Sequence, residues 1–156
     1  NGNEIKKVID KNALVENYRI IKEYPATLNI KINKTKFLAK INKEGQTFFI
    51  GSNRKLIESS SNEELPFIFG KPNLEEFFEI KKKIDDSKIS YENIKSLFFF
   101  QSKRWDVKLK NNVLLKLSKE SSKDTIDVVY QFLIDNNESN IKMIDARVKN
   151  QIIVNE

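Results

Sequence analysis

Arg104-Trp105-Asp106-Val107-Lys108-Leu109-Lys110-Asn111-Asn112-Val113-Leu114-Leu115-Lys116-Leu117 decides the fold. Trp105, Val107 and Leu109 alternate with Asp106, Lys108 and Lys110, the period-2 pattern of a strand buried on one face. Asn111-Asn112 supplies the two residues that most readily adopt a tight hairpin turn, and Val113 to Leu117 returns as the second strand. Just upstream, Lys95 to Gln101 reads as a third strand. The run Phe98-Phe99-Phe100-Gln101-Ser102-Lys103-Arg104-Trp105 admits a competing reading, because aromatics beside Lys and Arg can stack bases along a charged groove. The alternation of Trp105 with Val107 and Leu109 favours a core.

Helices flank this hairpin on either side. Asn73 can cap a helix whose third residue is Glu76, a capping box, with Leu74, Phe77, Phe78 and Ile84 as its apolar face. Ser121 with Asp124 predicts a second helix opened in the same way. Its buried stripe is Ile126, Val129, Tyr130 and Leu133, and it ends near Asp135. Before them, Phe37 to Asn42, Thr47 to Ile50 and Lys55 to Ile57 are short strands separated by Lys43-Glu44-Gly45 and Gly51-Ser52-Asn53 turns. Leu65-Pro66-Phe67-Ile68-Phe69-Gly70 reads as too short and too interrupted for a central strand.

The N-terminal part predicts a compact αββ unit. Glu4 to Asp10 places Ile5, Val8 and Ile9 on one helical face. Leu14 to Glu23 and Thr27 to Asn33 form a strand pair about a Tyr24-Pro25-Ala26 turn, where Pro fixes φ and offers no N–H. The start at Asn1 without Met, running at once into helix-like residues, suggests a piece of a longer protein.

Composition removes whole classes of chemistry. The 156 residues contain no His and no Cys, which excludes Cys/His zinc sites, iron–sulfur clusters, thiol nucleophiles and any imidazole base. The four glycines stand apart at 2, 45, 51 and 70, so no P-loop or dinucleotide fingerprint can form. No Asp-rich calcium loop is present, and neither a metal nor another cofactor is expected. The adjacent pairs Glu63-Glu64, Glu75-Glu76 and Asp85-Asp86 diverge on a helix or strand, so they read as surface or capping groups rather than a catalytic dyad. No catalytic residue is assigned, and the reading is not an enzyme.

Net charge is +6, from 28 basic and 22 acidic side chains. Residues 1–60 hold 12 of the basic and 6 of the acidic groups, and the other 96 residues balance at 16 and 16. The basic excess is therefore local to the N-terminal part. At the other end, Ile141 to Val154 is a β run broken near Lys149-Asn150. If Arg147 to Val154 lies at a sheet edge, its unpaired backbone can template another chain, with Ile152, Ile153 and Val154 giving side-chain selectivity. The alternative is that the fold covers it.

In order and spacing these motifs resemble the extracytoplasmic part of the bacterial cell-division family FtsQ/DivIB, from about Asn3 onward. Tyr24-Pro25-Ala26-Thr27-Leu28-Asn29-Ile30 is similar to that family's POTRA signature Trp/Tyr-Pro-x-x-Leu-x-Ile. Of the Glu-x-x-Pro-x-Ala junction only Ala39 matches, with Lys34 and Phe37 at the acid and proline positions. Phe49-Ile50-Gly51-Ser52-Asn53 stands at an apolar-apolar-Asp-x-x-Gly turn. Leu65 to Gly70 matches Leu-Pro-x-apolar-x-Gly, Arg104 to Asn111 the Trp-x-apolar-x-Leu-x-Asn hairpin, and Ile141 to Arg147 the closing apolar-x-x-apolar-Asp-x-Arg strand.

The resemblance implies an α+β protein: the C-terminal part of a POTRA domain (αββ, residues 1–36), then an FtsQ-type β domain (37–156) with a mainly antiparallel sheet and flanking helices. It implies a non-enzymatic divisome scaffold that binds FtsB, with FtsL, by strand addition at its C-terminal β edge, and other division proteins through the POTRA. The edge is Val148, Lys149, Asn150, Gln151, Ile152, Ile153 and Val154, with Arg104 as a neighbouring contact. It also implies a single-pass inner-membrane protein at the division septum, its anchoring helix upstream of this chain and this region in the periplasm. The basic residues of 1–60 would then face anionic head groups. The alternative function is a single-stranded nucleic-acid-binding module using the basic and aromatic surface; the scaffold reading has no nucleic-acid partner.

Overall fold

A computed structural model describes residues 2–156. The chain divides into two compact units, one ending at Leu65 and the other beginning at Pro66.

In the first unit, α1 (Gly2–Asp10) precedes β1 (Val15–Glu23) and β2 (Thr27–Lys34). Among the described residues these two strands pair antiparallel and only with each other, joined through a cis Tyr24-Pro25 bond. A meander follows: β3 (Phe37–Lys43), β4 (Gln46–Gly51) and β5 (Leu56–Ile57). The β3/β4 turn places Glu44 and Gly45 at positive φ, a conformation glycine accepts without cost. Ala39, Ile41, Phe49, Ile50 and Ile57 are buried along the meander, and the Phe37 and Phe49 rings lie 4.8 Å apart. Asn53 in the β4/β5 turn ties the two parts of the unit together. Its side-chain amide donates to the carbonyls of Ala13 (2.8 Å) and Val15 (3.2 Å).

The second unit carries a six-stranded sheet in the order β11-β10-β9-β8-β7-β6. Its strands are β6 (Phe67–Phe69), β7 (Ile94–Phe99), β8 (Trp105–Leu109), β9 (Leu114–Lys116), β10 (Met143–Asp145) and β11 (Ile153–Asn155). Three of the five pairings are antiparallel; β6/β7 and β9/β10 are parallel. Parallel neighbours need a crossover, and the two crossovers are α2 (Leu74–Asp85) and α3 (Lys123–Asp135). Both run in the same direction along the sheet between strands of the same orientation. Right-handed connections therefore put both helices on one face. That face is the one with Trp105, Val107, Leu109, Leu97, Leu115 and Ile144. They are all at most 7% exposed, and Phe77, Ile80, Ile84, Ile126 and Val129 of the helices are buried as well. Burying a side chain such as Phe77, fully enclosed, stabilises the fold by about 1.5–3 kcal/mol.

The α+β class, the hairpin and the α2 capping box match the sequence reading. Asn73 Oδ1 accepts from Glu76 N and Asn73 N donates to Glu76 Oε2, each at 2.8 Å. Three details differ. No capping box forms at Ser121/Asp124: Ser122 is the cap and its side chain makes no capping bond. The Ser121 hydroxyl is engaged instead by the Ser118 N–H at 2.9 Å. Phe67–Phe69 is a genuine strand, parallel to β7, with Ile68 1% exposed. Its shortness is compensated by burial. Finally, Asp106 does point away from the Trp105 face but is only 4% exposed, because charged neighbours cover it.

Candidate partner-binding edge

The register of the second unit fixes what faces what at the end of the sheet. Val107, Leu115, Ile144 and Val154 form one cross-strand row, and the first three are buried, so Val154 belongs to the helix-covered face. The adjacent row is Asp106, Lys116, Asp145 and Ile153, on the face that carries no helix of this unit. Ile153 is 48% exposed there. β11 ends the strand order, with β10 on one side and no strand of its unit on the other. An end strand presents backbone donors and acceptors to any chain that can lie beside it.

The row on the helix-free face is a ladder of alternating charge. Arg104 Nη1 donates to Asp106 Oδ1 at 2.5 Å, and Arg147 grips Asp145 with two bonds, Nε at 2.9 Å and Nη2 at 2.6 Å. Lys116 stands between the two carboxylates in register. Burial pushes the Asp106 carboxyl above its ordinary value, opposed by Arg104, Lys116 and Arg147. Asp145 is held below its ordinary value chiefly by the Arg147 hydrogen bond, and Arg147 is raised by the same contact. Fork-shaped pairing of this kind fixes an arginine's orientation as well as its charge.

Arg104 lies beside β8, three strand spacings from β11, or ~14 Å. It shares the helix-free face with Ile153, and its guanidinium stacks 4.0 Å from the Phe100 ring centroid. Of the seven expected edge residues, Ile153 and Val154 lie in β11. Ile152 immediately precedes it. Val148, Lys149, Asn150 and Gln151 form the β10/β11 connection, where Gln151 N donates to Val148 O at 3.2 Å and Asn150 takes φ +60°. Asn tolerates that left-handed conformation better than most residues, and the extended run breaks there. The edge strand is accordingly shorter than Arg147 to Val154. Val148 is 57% exposed at this turn.

Sequence reading missed Asp106, Lys116, Asp145 and Arg147 as a single array. The i, i+2 spacing within Arg104/Asp106 and Asp145/Arg147 was visible, but the row exists only once the parallel β9/β10 register is known. The aromatic-basic stretch resolves by face: Trp105 is 7% exposed and 4.8 Å from Phe99, whereas Phe100 lies with Arg104 on the surface. Of the paired carboxylates, Glu76 bonds Asn73 and Lys103, and Asp85 and Asp86 pair with Lys81 and Lys82. Among the described residues no cluster of three or more metal-ligating side chains occurs, and no helix is long and apolar enough to cross a membrane.

Comparison with known families matches residues 30–147 to the model of the cell division protein FtsQ/DivIB, C-terminal. A comparison with curated proteins gives no match.

Proposed function

We propose a strand-capturing scaffold role from one premise: the chain belongs to the FtsQ/DivIB cell-division family. Its role lies in bacterial cell division. Within that role the chain acts without chemistry of its own, binding FtsB, coupled to FtsL, as a strand added at the outer side of β11. The observation that carries this reading is the position of β11 at the end of the sheet, with Ile153 half exposed beside it. Main-chain hydrogen bonds would supply affinity and the flanking side chains selectivity. Val148, Lys149, Asn150, Gln151 and Ile152 would meet the incoming chain where it enters, and Ile153 and Val154 along the strand. Arg104 would contact the part of the partner that crosses the helix-free face.

Residues 1–36 are taken as the C-terminal part of a POTRA domain that meets other division proteins, and 37–156 as the β domain. The αββ order of α1, β1 and β2, and their separate two-stranded sheet, support that division. The native protein is placed in the inner membrane through a helix outside this chain, with this region in the periplasm at the septum.

Calorimetry with an FtsB-derived peptide tests the edge. Ile153→Asp puts a charge where the partner strand must desolvate, and a loss of about ten-fold or more in affinity is expected. The thermal midpoint of the free protein should stay within about 2 °C, since Ile153 is already half exposed. Unchanged affinity would remove the edge from the interface.

A further inference from the structure

Among the described residues Asp106 is the only charged one that the fold buries, at 4% exposure. It lies on the helix-free face, with Phe98 opposite it on β7 and Lys116 opposite it on β9. Its carboxylate accepts one hydrogen bond among those residues, from Arg104 Nη1 at 2.5 Å. Desolvation pushes that carboxyl up, and of the cations opposing the shift, Arg104, Lys116 and Arg147, only Arg104 bonds to it. Such a buried ion pair is a weak stabilising device, because desolvation offsets much of its attraction and an apolar residue of similar volume often serves the fold as well. What the pair does fix is the orientation of the arginine.

The surroundings restrain Arg104 further. Its guanidinium carbon lies 4.0 Å from the centre of the Phe100 ring. Its main chain closes the β7/β8 turn, where Phe100 N donates to Arg104 O (3.1 Å) and Lys103 N to Phe100 O (2.9 Å). Lys103 Nζ is in turn tied to Glu76 at 2.7 Å. The arginine is thus held at both its backbone and its head group. Yet Nε and Nη2 donate to nothing among the described residues, and 22% of the side chain stays open to solvent. A guanidinium fixed in place with donors to spare is preorganised for an acceptor from outside.

We propose that Asp106 is a positioning residue for partner binding: with Phe100 it orders Arg104, before the partner arrives, in the conformation that meets the captured chain. The role rests on the strand-capture reading, in which part of the partner crosses the helix-free face to Arg104. Asp106 acts through Arg104 and needs no contact of its own with the partner. Without it the guanidinium moves freely in the unbound protein and must be ordered on binding, which lowers affinity by about five-fold.

A double-mutant cycle on the full chain tests it, read by calorimetry with an FtsB-derived peptide that carries the added strand and about ten residues beyond it, roughly 15 Å if helical. Asp106→Asn and Asp106→Leu should each weaken binding about five-fold, while the thermal midpoint of the free protein is not lowered and rises in Asp106→Leu. In an Arg104→Gln background the same two substitutions should change affinity by less than about two-fold, since no guanidinium is left to position. An equal loss in both backgrounds would overturn the role, and so would a midpoint that falls in step with affinity in both variants. Arg104→Gln binding as tightly as wild type would overturn it as well. If Ile153→Asp weakens binding while both Asp106 variants bind as wild type, the positioning role falls and strand capture stands. If Ile153→Asp binds as wild type, strand capture falls and takes this role with it.

Discussion

At Gly70 a Cβ would sit 2.3 Å from the carbonyl oxygen of Phe99, and φ there is +97°. Both steric and torsional terms oppose any other residue. Gly70→Ala should lower stability by about 2–4 kcal/mol, read as a shift of the denaturant midpoint; an unchanged midpoint would show that the β6/α2 turn adapts without loss. Glu76 offers a test of a different kind. Its carboxyl is held below the ordinary value first by the Lys103 hydrogen bond and then by the Asn73 N–H. A lowered folded-state value means the stabilisation is complete above the unfolded carboxylate value and is lost as pH falls through the folded one. The stability gap between wild type and Glu76→Gln should therefore be largest above about pH 5 and shrink towards about pH 3. A gap that stays constant with pH, measured by denaturation at several pH values, would mean that Glu76 acts through packing alone.

Legibility varied among the elements for physical reasons. The β8/β9 hairpin could be read because alternation and an Asn-Asn turn are local signals that agree with burial. Trp105, Val107 and Leu109 are each at most 7% exposed, and Asn112 takes the positive φ the turn needs. The α2 capping box was likewise local. The Ser121 box failed because an equally local competitor, the Ser118 N–H, claims the same hydroxyl. The break in the C-terminal run at Lys149-Asn150 was read correctly, but the length of β11 was not. Three paired residues are all that follow the turn, since pairing depends on β10, and β10 depends on the parallel crossover through α3. The charge row from Arg104 to Arg147 was out of reach for the same reason: it joins residues from three strands whose register no single stretch of sequence specifies.

Across the molecule, the family gives the chain a role in bacterial cell division, and the proposed reading carries that role on a surface. That surface is a short end strand flanked by an ordered charge row. The central claim, strand capture at β11, is tested most directly by residue-resolved amide hydrogen exchange with and without the FtsB-derived peptide. Strand addition predicts that outward-facing amides among Ile152, Ile153, Val154 and Asn155 become strongly protected, by about ten-fold or more, while α2 and β7 stay unchanged. Saturating peptide that leaves those amides exchanging at the free rate, or protects α2 and α3 instead, would contradict it.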